Sequence, residues 1–198
     1  ASNRTTIEAD VVVVGGGTAG TIAAIQAGRA GARTMIIEMS GQLGGTTTVA
    51  GVDYPGLFHA WGRQIIAGIG WELVSTAVAL DSGSLPDFSK PPAEHFLHQV
   101  RINAPLYAAL IEEAALSAGV AVYFYETVQA AQATESGWIV RTSGKGVDRE
   151  VACRQLIDCT GGADLVGSLG LARLRESTTQ PGTIIFRFGG YNVEGLDP

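Results

Sequence analysis

Gly15, Gly17 and Gly20 stand in a G-x-G-x-x-G spacing directly after the apolar run Ala9 to Val14. The chemistry that spacing serves is the holding of a diphosphate. Gly15 permits a tight turn out of a strand. Gly17 lacks a Cβ, so a pyrophosphate can approach its backbone. Gly20 lets the following helix pack against the strand. The free N–H groups near Thr18 and Ala19 carry about half a positive charge from the helix macrodipole, which suits a phosphate pair. Glu38, followed by Met39, lies close to 20 residues further on, where a carboxylate accepts hydrogen bonds from ribose hydroxyls and repels a 2′-phosphate. This first constellation leaves NAD and FAD both open.

Later residues bear on the choice. "LGGTT" follows the acidic residue. Gly44 and Gly45 free the backbone there, and Thr46 and Thr47 offer hydroxyls and N–H donors to phosphate or sugar. "CTGGAD" supplies a second glycine turn, with Thr160, Gly161 and Asp164, and so a second backbone approach to one ligand. The acid–base and cationic candidates are His59, Arg63, His95, His98 and Arg101. His59, after the Gly/Thr loop, is placed either to face a cofactor edge or to make an ordinary polar contact. His95 and His98 are spaced like helix neighbours, but with no third ligand in view they read as a solvated face rather than a metal site. Arg101 suits a substrate carboxylate or a surface salt bridge. Tyr54 and Trp61 read as packing. None of these residues is identified as catalytic.

The elements that must position these groups follow from periodicity. Ala9 to Val14 and Arg33 to Glu38 are buried parallel strands on either side of a helix over Thr18 to Gly31, a β-α-β unit. Ser40 to Gly56 is a long Gly/Thr loop, and loops of that length are usually functional. Trp61 to Ala79 reads as a helix, and Asp81 to Pro92 as a polar loop. Asn103 with Pro105 behind it starts a helix over Leu106 to Ser117 that stops at Gly119. A strand follows at Val120 to Tyr125. Val128 to Thr134, Trp138 to Thr142 and Arg149 to Cys153 are short strands joined by tight turns, an antiparallel meander where an ordinary nucleotide-binding domain carries a crossover helix. Leu156 to Thr160 is a further strand, Ala163 to Gly170 a short helix, and Thr183 to Phe188 a last strand. The predicted fold class is α/β, a Rossmann-like parallel sheet with an inserted antiparallel meander.

Composition narrows the partners. The 198 residues carry a net charge of −6 with no run of Lys or Arg, which argues against nucleic acid. Glycine, at 27 residues, is about twice its usual share, in keeping with several turns lining a ligand. No uninterrupted apolar run is long enough to span a membrane. Cys153 and Cys159 fall on one extended segment roughly 20 Å apart, beyond disulfide reach. They read as reduced thiols of a cytoplasmic protein, although a removed signal peptide would leave no trace.

Taken together, "VVVVGGGTAGTIAA", Glu38, "GQLGGTTT", "GRQIIAGIGWELV", "VAVYFYETVQAA" and "LIDCTGGADLVGSLG" resemble the FAD-dependent oxidoreductases of the glutathione-reductase-like fold, related to fumarate-reductase flavoproteins. The resemblance runs from about Asp10 to Phe188. It implies FAD as cofactor and hydride or electron-pair transfer to a small-molecule substrate. It also implies that the backbone of Val128 meets the adenine edge and that Cys159-Thr160-Gly161 passes close to the cofactor. Gly162 stands where many relatives have an acidic residue, leaving Asp164 as the carboxylate expected in that turn. In such proteins the chain leaves the FAD domain, builds a substrate domain and returns. No return follows Asp164 here. The expectation is therefore an N-terminal FAD-binding portion over residues 1–180 and the start of a substrate domain over 181–198, completed by a C-terminal segment or a second subunit. Two other readings stay open: an NAD-dependent dehydrogenase, which predicts regular α/β alternation after Tyr125, and a flavin-binding subunit without catalysis of its own.

Overall fold

A computed structural model describes residues 5–90, 92, 94–186 and 189–190. Its strands are β1 (Thr5–Val14), β2 (Thr34–Glu38), β3 (His59–Ala60), β4 (Arg63–Gln64), β5 (Ala121–Phe124), β6 (Glu126–Thr134), β7 (Gly137–Gly144) and β8 (Val147–Asp158). Its helices are α1 (Thr18–Arg29), α2 (Ile69–Leu80), α3 (Ala104–Ser117) and α4 (Asp164–Ser168). Six strands form one sheet in the order β5-β2-β1-β8-β7-β6, with β3 and β4 as a separate hairpin. β5, β2, β1 and β8 run parallel, and β7 and β6 are added antiparallel. This is the Rossmann-like sheet with its meander that the sequence predicts. Regular alternation after Tyr125, the mark of the dehydrogenase reading, is not what the chain does.

The apolar residues on the two sides of the sheet fall into separate cores. On one face Val13, Ile36, Leu43, Val74 and Ile111 pack with α1, α2 and α3. On the other Val12, Val14, Met35, Ile37, Val140, Val151 and Leu165 pack together. Strand β1 serves both, but not by simple alternation. Ala9 and Val12 lie in the same core although three residues apart. The parity breaks because the N–H groups of Asp10 and Val11 both donate to Arg33 O, at 2.8 and 3.2 Å, as in a β-bulge. Its neighbour β8 breaks in step: Cys153 and Leu156 share the same core.

That shared break explains one correction. The two short strands predicted at Arg149 to Cys153 and Leu156 to Thr160 are one strand, β8. Its first half pairs antiparallel with β7, while from Arg149 to Asp158 it runs parallel to β1. Cys159 and Thr160 lie just beyond its end. A second correction concerns Trp61 to Ala79. The helix begins only at Ile69. Trp61 (φ 51°), Gly62 (φ 72°) and Gly68 (φ 78°) adopt left-handed conformations that a helix cannot contain. Trp61-Gly62 instead forms the two-residue turn of the β3–β4 hairpin, where positive φ at both positions matches strand twist. Trp61 is thereby 86 % exposed rather than packed. Strand β1 also begins at Thr5, earlier than expected. Residues 183–186 are in no strand, and the rest of the predicted last strand, 187–188, lies outside the described residues. Both cysteines are free.

Candidate functional site

At the carboxyl ends of β2, β1 and β8 lies a cleft of about 680 Å³. One wall is the turn from β1 into α1. Gly15 takes φ 94°, and a Cβ there would meet Cys159 O at 2.4 Å. Gly20 is packed tighter still: its Cβ would lie 1.9 Å from Gly15 O and 3.0 Å from Cys159 Cβ. Gly17 is different in kind. It is extended (φ −63°, ψ −177°), and its Cβ would find only Gly45 Cα, 4.0 Å away. The space in front of it belongs to the cleft. No side chain caps α1, so the first-turn N–H groups at Thr18 and Ala19, which border the cleft, are left for an anion.

Glu38 closes this turn from the side. Although 7 % exposed, its carboxylate is well satisfied. Oε2 accepts from Gly16 N at 2.7 Å and Oε1 from Ser40 N at 2.6 Å. Each oxygen keeps a further lone pair, and Glu38 and Met39 both border the cleft. Thr21, also buried, donates from Oγ1 to Gly16 O at 2.9 Å and so fixes the turn from below.

The Gly/Thr loop docks onto the same turn. Gly44 N donates to Gly16 O at 2.8 Å, and Thr18 Oγ1 donates to Gly44 O at 3.3 Å. Gly44 needs its glycine for a φ of 103°, and Gly45 lies so close to Gly17 that a Cβ would meet Gly17 Cα at 2.9 Å. Gly45 and Thr46 border the cleft. Gly20, Gly44 and Thr47 do not. Gly20 and Gly44 shape its wall, and buried Thr47 approaches Thr18, hydroxyl to hydroxyl, at 3.4 Å.

The second glycine turn lies against the first, where Cys159 N donates to Val14 O at 2.8 Å. Thr160, Gly161 and Asp164 border the cleft, as does Val128. The turn is braced by a carboxylate that the sequence reading passed over, which corrects the expectation that Asp164 stands alone there. Asp158 Oδ1 accepts from Thr160 N and Thr160 Oγ1 at 3.0 and 2.7 Å, and Oδ2 accepts from Val166 N at 2.8 Å. Burial pushes its carboxyl up, but these hydrogen bonds outweigh it and hold the group below the usual carboxylate range. Asp164 is largely exposed and pairs with Arg173 at 3.3 Å. Arg173 Nη1 also donates to Gly162 O and Ala163 O, both at 3.1 Å. Gly167 makes room for it: a Cβ there would lie 2.2 Å from the guanidinium carbon.

The acid–base candidates are elsewhere. His59 stacks on Phe88 with ring centroids 3.7 Å apart, and Trp71 meets it edge-on. His98, buried, packs edge-on against the same Phe88. Arg101 lies over the Tyr54 ring, and Arg63 is exposed. None of these four borders the cleft. Among the described residues no group of His, Cys, Asp and Glu is arranged to hold a metal, and no helix is long and apolar enough to cross a membrane.

The chain resembles several solved structures in fold. OxyS anhydrotetracycline hydroxylase from Streptomyces rimosus superimposes with a TM-score of 0.58 at 23 % identity, over 81 % of this chain and 34 % of that one. THI4 from Thermovibrio ammonificans gives 0.56 at 17 % identity, over 82 % and 61 %. A geranylgeranyl bacteriochlorophyll reductase-like protein from Thermoplasma acidophilum gives 0.56 at 16 % identity, over 84 % and 43 %. The chain thus spans between about a third and three-fifths of the length of these structures. No curated protein sequence matches it. The family described as FAD dependent oxidoreductase matches residues 10–197. That is nearly the whole chain, and it makes FAD the cofactor that the two glycine turns have to fit: the chain belongs to the FAD dependent oxidoreductase family.

Proposed function

We propose that the cleft holds FAD in an extended pose and that the protein transfers a hydride or electron pair between the flavin and a small-molecule substrate. The observation that carries this reading is the convergence of both glycine turns on one cleft, with open space in front of Gly17 alone among the three motif glycines. In this reading the N–H groups of Thr18 and Ala19 donate to the diphosphate. Gly45 and Thr46 complete its cradle. Glu38 accepts from the adenosine ribose, and Met39 covers the sugar. Val128 presents backbone to the adenine edge, while Thr160, Gly161 and Asp164 line the path toward the flavin half.

The flavin, when bound, supplies the redox chemistry. The chain's own residues bind it, orient it and shield it from water. None of His59, Arg63, His98 or Arg101 is offered as its acid or base. Residues 1–180 make the cofactor-binding unit in this reading, and 181–198 open the substrate-binding part. In support, the six-stranded sheet, both cores and the cleft lining all fall within residues 5–170. The partner is a small molecule, reached by a C-terminal segment or second subunit that completes the substrate side, and the compartment is the cytoplasm.

The test is purification and spectroscopy. The expected sample is yellow, releases flavin on denaturation, and once stripped binds FAD but not NAD in calorimetry. A colourless protein that binds NAD and rejects FAD overturns the proposal.

A further inference from the structure

The chain passes from β5 into β6 through Tyr125, whose φ of 57° is left-handed. The next residue is a carboxylate only 4 % exposed, Glu126, at the border of the cleft. Thr142 Oγ1 donates to Glu126 Oε2 at 2.9 Å. Arg149 Nε donates to Oε1 at 3.0 Å and to Oε2 at 3.3 Å. The Arg149 guanidinium in turn covers the Tyr123 ring at 4.6 Å. The corner is so tight that a Cβ on Gly144 would lie 2.4 Å from Tyr125 O and 2.8 Å from Glu126 Cγ. One polar knot therefore joins β5, β6, β7 and β8 beside the cleft.

A buried ion pair is weak evidence for stability, since an apolar replacement of similar volume often does as well. Its best attested use is to fix register. Register matters here. Two residues after Glu126 the β6–β7 ladder slips between Val128 and Ala130, and strand β6 touches both β2 and α4. A slip of one residue would turn every side chain of β6 over. It would also withdraw the stretch Glu126 to Val128 from the cleft.

We propose that Glu126 is a positioning residue for the adenosine end of the cleft. Held by Thr142 and Arg149, it sets the backbone of Thr127 and Val128 where an adenine edge is read, so that adenine-containing ligands depend on it and adenine-free ones do not. This rests on the reading of the cleft as the FAD site.

The test titrates the full chain, stripped of cofactor, with FAD, ADP and FMN by calorimetry, alongside thermal melts. Glu126→Ala should weaken FAD and ADP by about tenfold, the equivalent of one misplaced hydrogen bond, and leave FMN unchanged. Because Glu126→Ala alone strands Arg149 and risks unfolding, the double variant Glu126→Leu, Arg149→Met is the second probe. It should still fold, melting below the wild type by no more than the cost of the Thr142 hydroxyl left without its acceptor, and still lose selectivity for ADP. Equal weakening of all three ligands, or ADP binding unchanged in a folded double variant, overturns the inference alone. Wild-type protein that binds neither FAD nor ADP overturns the reading of the cleft, and this inference with it.

Discussion

Gly17 offers the sharpest separation between folding and binding. Valine there has an allowed backbone, since Gly17 is extended (φ −63°, ψ −177°), and its Cβ has no protein atom nearer than 4.0 Å. The fold should accept it to within about 0.5 kcal/mol, as at an ordinary surface site. The side chain would instead occupy the volume that the proposed pose gives to the diphosphate. Losing two charge-assisted hydrogen bonds from the N–H groups of Thr18 and Ala19, at about 1.5–3 kcal/mol each, removes about 3–6 kcal/mol, roughly a hundred- to ten-thousand-fold in affinity. Gly15→Ala is the control. At φ 94°, with Cys159 O 2.4 Å from its Cβ, it carries backbone strain of about 1–3 kcal/mol before any overlap. In a chain of this size each kcal/mol lowers the melting temperature by about 2–4 °C. Calorimetric titration with FAD and thermal melts on both variants decide the matter. Gly17→Val with wild-type FAD affinity, or with a melting temperature that falls as far as that of Gly15→Ala, refutes the reasoning.

Three further outcomes follow from the same geometry. Asp158 has its folded-state carboxyl held low, so its stabilising contribution is present above the unfolded carboxylate range and is lost as pH falls through the folded value. Asp158→Asn should therefore flatten the acid limb of melting temperature against pH below about 4 and cost about 1–2 kcal/mol at pH 7, as lost caps do; an unchanged acid limb refutes the brace. Burial pushes the Cys153 thiol up to about 11 and raises that of Cys159 too, so both should react slowly with a thiol reagent at pH 8 until the protein is denatured. FAD should slow Cys159, which borders the cleft, further; rapid native labelling of Cys153 counts against the packing. Trp61→Asn should stabilise the hairpin by about 0.5–1 kcal/mol, because Asn tolerates the left-handed turn that Trp61 occupies, and a lowered melting temperature would contradict that turn.

What the sequence made legible is what local punctuation controls. The β1–α1–β2 unit follows from glycines, a strand-end carboxylate and apolar runs. Helix α3 starts where Asn103 accepts from Leu106 N at 3.3 Å. The β3–β4 hairpin escaped because a tryptophan in a left-handed turn gives no compositional sign of it. The braces of the site escaped for another reason: their partners are brought together only by tertiary structure. Glu126 and Arg149 are joined across the meander, and Arg173 folds back on the carbonyls of Gly162 and Ala163. Asp158 was within reach, since an Asp two residues before a Thr and eight before a helical N–H is a local pattern. Its role shows only once the strand ends at Asp158 rather than running on to Thr160.

The misread strand also shows why the two glycine turns meet. β8 must satisfy two neighbours of opposite direction: antiparallel β7 opposite Val147 to Cys153, and parallel β1 from Arg149 to Asp158. A strand that alternated strictly from end to end would put Leu156 on the face opposite Cys153. The break at Arg154 and Gln155, matched in β1 by the paired donation of Asp10 N and Val11 N to Arg33 O, keeps both residues in one core. The meander and the parallel sheet thus share a single apolar floor. The constant parallel register, Thr5 against Arg149 through Val14 against Asp158, brings the end of β8 out level with the end of β1, so that Cys159 O comes within 2.4 Å of where a Gly15 Cβ would stand. Gly15 must be glycine because of the strand beside it as much as because of the turn it begins. The second turn can reach a ligand on the first only because β8 arrives from the meander already in register with β1.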